Sequence, residues 1–145
     1  MAITTAMCTS FKSELLGGVH DLDSDSIRIA LIKASPSGTY NATTTNYSDV
    51  TGNSDEASGT GYTSTGKVLA GAAITTSGTT ALVDFTDAQW ASSTISADGC
   101  IIFNASQSNK AIAVIDFSGT KTSTNGTFTV QFPAAGASTA IIRIA

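Results

Sequence analysis

Gly61-Tyr-Thr-Ser-Thr-Gly66-Lys67-Val68 is one residue short of a phosphate-binding loop. The G-x-x-x-x-G-K-[ST] pattern works because backbone N–H groups wrap the phosphates, the Lys reaches the outer ones, and a hydroxyl holds Mg²⁺. Val68 stands at the hydroxyl position and can coordinate nothing. A phosphate loop also lies between a buried strand and a helix whose N-terminus faces the anion. Here polar chain (51–60) precedes it, and a short apolar stretch broken by Gly71 follows. The segment therefore reads as a Gly-rich turn entering a strand, with Tyr62 and Leu69 dropping into the core.

The other reactive residues are weighed in the same way. Asp21-Leu-Asp23-Ser-Asp25 opens like a calcium loop, but the sixth and twelfth positions hold Ser26 and Ile32, not the required Gly and Glu. A solvated turn between helix and strand is the better reading. His20 is the single histidine, no G-x-S-x-G elbow offers it a nucleophile, and it reads as a turn residue after the helix. Asp84, Asp87, Asp98 and Asp116 could supply a glycosidase pair, yet Asp84 and Asp116 each stand just before a Phe at a strand end. Trp90, Tyr40, Tyr47 and Tyr62 could stack on a sugar; alternatively Trp90 anchors the core and the tyrosines line an interface. Cys8 and Cys100 have no metal-like spacing; Cys100 reads as a buried thiol in a strand and Cys8 as part of a helix face, with no disulfide expected in a reducing compartment. The residues thus point to no enzyme, cofactor or metal.

The elements around these residues are mostly strands. One helix is expected from about Thr5 to Gly18, with Met7, Phe11 and Leu15 on one face, a cap from Thr4 or Thr5, and a left-handed residue from Gly17-Gly18 at its end. Strands are expected at 26–33, 68–74, 79–85 (Ala81, Val83 and Phe85 inward), 89–91, 99–104, 110–117, 126–132 and 140–144. Ser77-Gly78 makes a tight turn, Asn125-Gly126 supports positive φ, and Pro133 follows a strand. Residues 35–60 form a long polar loop without strands. Together these give one all-β domain over 1–145, an antiparallel β-sandwich of jelly-roll or immunoglobulin-like type with a short N-terminal α-helix.

At 145 residues the chain can bury one substantial core, and 41% of it is apolar. Only 12% is charged, so the surface suits subunits that cover one another. A net charge of −4 with no basic run excludes a nucleic-acid footprint. No stretch is long and apolar enough for a membrane, and the N-terminus has no signal-peptide pattern, so synthesis in a cytoplasm is expected.

Finally, the motifs follow a characteristic order. They are Phe11-Lys-Ser-Glu-Leu-Leu-Gly-Gly-Val-His-Asp21, Ile27-Arg-Ile-Ala-Leu31, Thr44-Thr-Asn-Tyr47, Gly59-Thr-Gly-Tyr62 with Gly66 and Leu69, Val83-Asp-Phe-Thr-Asp87 with Trp90, Ile101-Ile-Phe-Asn104 and Val114-Ile-Asp-Phe117. This order resembles a family of small structural proteins of tailed phages, above all the head decoration (cement) proteins. The resemblance runs from about residue 11 to the end and implies a virion location, with the major capsid protein and copies of itself as partners. It implies no active site. Under that reading Ile3, Met7, Phe11 and Leu15 of the N-terminal arm and helix (residues 1–18) dock on the shell or a sister subunit, with Tyr40 and Tyr47 of the 35–60 loop as a second contact. The alternative is a tail- or fibre-associated protein binding a glycan receptor.

Overall fold

A computed structural model describes residues 2–145. It is an all-β antiparallel sandwich built from two sheets, with a short helix near the N-terminus. In chain order the elements are β1 (Ala6–Met7), α1 (Thr9–Leu16), β2 (Ile27–Lys33), α2 (Ser48–Gly52), β3 (Lys67–Val68), β4 (Ala73–Ser77), β5 (Thr80–Asp84), β6 (Ala88–Asn104), β7 (Lys110–Val130) and β8 (Ile142–Ile144). The larger sheet runs β1-β7-β6-β2-β3 and the smaller β4-β5-β8. Among the described residues no helix is long and apolar enough to cross a membrane.

The core follows from the apolar runs. Ile29 to Ile32 of β2, Cys100 to Phe103 of β6 and Ala111 to Val114 of β7 are buried without alternation, so this part of the sheet is covered on both faces. Val83, Phe85 and Ile142 from the smaller sheet belong to the same contiguous core. Of the inward face expected over 79–85, Val83 and Phe85 are buried, whereas Ala81 is exposed and Leu82 is buried as well.

Two strands are much longer than the sequence suggests. Segments 89–91 and 99–104 belong to one strand, β6, and segments 110–117 and 126–130 to another, β7. The Ser/Thr-rich links between them are strand, because Ser93, Ile95 and Ala97 alternate inward at period two. Bulges absorb the irregularity, with Ser92, Ser118 and Asn125 at positive φ. Asn125 thus has the predicted backbone but bends a strand and makes no turn. Ser77 and Thr80 do close a tight hairpin, with Gly78 at φ 59°.

The N-terminus also differs from expectation. Ala6 and Met7 pair with Val114 and Ala113 at the sheet edge, so the helix starts only at Thr9. Pairing on β7 satisfies these backbone groups better than another helical turn of Thr and Met would. Neither Thr4 nor Thr5 caps the helix; the N-cap is Cys8, with no side-chain bond. At the other end Gly18 is left-handed, and the amides of Gly18 and Val19 bond Leu15 and Glu14 carbonyls, closing a Schellman motif.

Candidate functional site: surfaces and buried carboxylates

The residues expected to form an interface are mostly inside. Ile3, Phe11, Tyr40 and Tyr47 belong to the protein's own core, Phe11 at 0% and Tyr40 at 1% exposure. Met7 and Leu15 are partly buried against it. Met7 lies on β1, not on the helical face with Phe11 and Leu15. Ile3 bridges Tyr40, which carries the arm onto the 35–60 loop. The arm is therefore structural, and removing residues 1–16 would take Ile3, Cys8 and Phe11 out of the core.

The 35–60 loop is likewise no free contact loop. It contains α2 and is held by two adjacent carboxylates, Asp55 and Glu56, of the stretch that reads as polar chain in the sequence. Asp55, fully buried, accepts hydrogen bonds from the Ser37 amide (3.0 Å), the Gly38 amide (2.7 Å) and Tyr40 Oη (2.6 Å), and Lys33 Nζ lies 3.1 Å away. Burial alone would raise its pKa, but these donors outweigh burial and hold the carboxyl well below the usual range. Glu56 accepts from Tyr47 Oη (2.6 Å), Tyr62 Oη (2.8 Å), Ser64 Oγ (2.8 Å) and the Thr65 amide (2.8 Å). Burial, then the bonds to these carboxylates, pushes the Tyr40 and Tyr47 phenols up to about 12. No local spacing marks Asp55 and Glu56 in sequence, because their partners come from four separate stretches.

The reactive candidates take structural positions. Gly59, Gly61 and Gly66 all have positive φ, and the turn they shape lies on the backbones of β2 and β6. Lys67 extends over the Trp90 ring, 5.3 Å from its centroid, and donates to the Gln89 carbonyl, which leaves it committed within the fold. Leu69 is buried and Tyr62 packs against the core, as the turn reading expects.

His20 is not a simple turn residue. Its buried ring lies 4.9 Å from Phe11, and Nδ1 accepts from the Asn104 amide at 3.0 Å. Nε2 faces Glu14 Oε2 at 3.5 Å, which in turn meets Lys110 Nζ at 3.2 Å. Burial lowers the His20 pKa against the opposing pull of Glu14. Asn104 also donates to Asp25 (2.7 Å), and Asp25 caps the Asp21 amide (3.0 Å), so this cluster ties the helix exit to the end of β6.

Three of the four acids weighed for a glycosidase pair serve separate local roles. Asp87 accepts from the Phe132 amide (2.8 Å), Asp98 from Ser35 and Thr120, and Asp116 from the Ser118 amide (3.0 Å). Among the described residues no three His, Cys, Asp or Glu side chains are grouped to hold a metal ion. Both cysteines are free and buried; burial pushes the Cys8 thiol, aided by Asp49 and Glu14, up to about 11, and raises that of Cys100 as well.

The aromatic residues offered for sugar stacking face inward. Trp90 is 5% exposed and packs between Tyr62 and Phe128, while Tyr47 stacks on Phe103 at 4.5 Å. Trp90 is the core anchor of the blander reading.

The surface offers a polar hollow of about 460 Å³ on the 35–60 loop, lined by Thr43, Ser48, Asp49 and Asn53 among others, and two apolar concavities. A groove of about 580 Å³ runs along the distal half of β7 to the chain's last segment. Its lining includes Ile115, Phe117, Phe128, Val130, Phe132 and Ile141, and its one charged lining residue is Lys121. A second, smaller cleft lies between the end of α1 and the smaller sheet, lined by Leu15, Leu22, Ile74, Ala81, Val83 and Ile144. Most of the groove's walls come from segments expected as strands (110–117, 126–132 and 140–144); what the sequence could not show is that they meet around an open groove. No family model, curated protein or solved structure matches this chain.

Proposed function

We propose that this protein is a structural component of a phage virion, a head decoration protein that binds the major capsid protein and stabilises the shell. The observation that carries the reading is the groove along β7. An open apolar concavity of this size, with a single charged side chain in its lining, is the kind of surface that soluble proteins keep for a partner. The order of sequence motifs and the charge-poor composition support the same assignment.

In this reading the sandwich is a rigid wedge. The two carboxylate hubs hold the 35–60 loop against the body, so docking orders little chain and loses little entropy. A single modest contact, repeated over a symmetric shell, then holds through multivalency.

The test uses bare shells and purified protein. Thr129 and Gln131 are exposed on the groove wall, so Thr129→Glu with Gln131→Glu places charge there without opening the core. Shell retention in co-sedimentation is expected to fall by about tenfold or more. Electron cryomicroscopy of particles should show the protein at a copy number that follows the capsomers. Retention unchanged by the double variant, or density confined to the tail vertex, would overturn the proposal.

A further inference from the structure

β4 is the edge of the smaller sheet, and its outer side is open. Its two-residue loop makes Ser77 and Thr80 a hydrogen-bonded pair, so alternation along the ladder bonds Thr75 to Leu82 and Ala73 to Asp84. Ile74 and Thr76 therefore turn their N–H and C=O groups away from β5, toward solvent. Natural edges are normally protected by charge, proline or a covering element. This one has none of these: Val68 to Val83 contains no charged residue and no proline, and Ala73 to Thr76 are all exposed.

Apolar surface lies beside the same edge. Ile74 is 53% exposed and Ile144 55%, and both line the small cleft. Leu16, 92% exposed, adjoins Leu15 of that cleft. An unpaired backbone next to an apolar cleft fits an added β-strand. Charge indicates which one. The chain carries a net −4, so two copies repel on average, whereas β4 against β4 brings no charge together.

We infer that β4 is a homotypic docking edge, pairing antiparallel with β4 of a second copy about a two-fold axis at Thr75. Ile74 of each copy then exchanges backbone hydrogen bonds with Thr76 of the other, and Thr75 faces its symmetry mate in a non-hydrogen-bonded pair. Two three-stranded sheets become one continuous sheet, with the two apolar clefts on the same face. The inference rests on the reading of this protein as a self-covering shell subunit and specifies the surface that joins the copies.

Non-hydrogen-bonded antiparallel partners lie about 4.5 Å apart at Cα, within disulfide range. Thr75→Cys should therefore give a disulfide-linked dimer under mild oxidation, while Thr79→Cys in the hairpin loop should not. The native thiols are buried and do not compete. Thr76→Pro removes an outward N–H only, and Thr76→Lys places a charge beside Ile74 of the other copy. In sedimentation equilibrium each is expected to weaken the dimer by about tenfold or more, with circular-dichroism melting of the monomer preserved. A wild-type protein still monomeric at about 0.5 mM would overturn the inference. So would a dimer indifferent to both Thr76 variants, or cross-linking at Thr75 no greater than at Thr79. A monomer that still coats shells removes the edge pairing and leaves the virion role; a dimer that no particle carries does the reverse.

Discussion

Asp55 shows how little a residue's type says before its neighbours are known. In the sequence it belongs to a polar stretch; in the fold it is a buried anion held by Tyr40, two backbone amides and Lys33. Replacing it by Asn keeps the shape but takes the charge from four donors, and Asp55→Asn is expected to cost about 3 kcal/mol in urea unfolding at pH 7. Because the folded carboxyl titrates below the unfolded one, its stabilisation is complete above the ordinary carboxylate range. It is lost as pH falls below about 4. Unfolding measured from pH 7 to pH 3 should show the wild type losing more stability than Asp55→Asn, and parallel curves would refute this account of the hub. Cys100 and Trp90 were legible as core residues, because an apolar strand and a lone Trp admit few other positions. Asp55, Glu56 and His20 were not, since a buried polar group is defined by partners remote in sequence.

At the scale of elements, the Gly-rich turn at 59–66 was the most readable feature and its backbone demand is real. A Cβ on Gly66 would lie 1.8 Å from the Ile29 carbonyl oxygen, on backbone that cannot give way. Gly78 also has positive φ, but open space surrounds it. Gly66→Ala should therefore destabilise by about 3 kcal/mol or more. Gly78→Ala should lose only about 1 kcal/mol, the strain of a left-handed residue. Urea midpoints of the two variants compare them directly, and equal losses would show that close approach is not what the turn needs. Strand existence was legible from alternation; strand extent was not. Ser93, Ile95 and Ala97 carry a period of two, but their Ser/Thr setting reads as loop until Gly126, Ser123 and Lys121 are seen opposite. Met7 was misplaced for a related reason: a four-residue spacing suits a helix, but an available sheet edge competes for the same backbone.

For the whole molecule, the charge-poor composition leads to a measurable consequence. If apolar burial in the β7 groove drives shell binding, affinity should change by less than about threefold between low and high salt, since screening acts only on charges. A steep loss on raising salt would point instead to a charged contact elsewhere. Composition and periodicity by themselves determined that this is an antiparallel β-sandwich, with a short helix near its start and a Gly-rich turn in place of a phosphate site. These are local properties: which residues alternate, which can take positive φ, which hydroxyl is missing. Which residues remain at the surface was decided only by the tertiary structure. Phe11 and Tyr40 disappear into the core, while Phe117, Ile74 and Ile144 border open clefts. The physical reason is that burial depends on what packs across from a side chain, and that neighbour is set by sheet order and strand length, not by the residue's own surroundings in sequence.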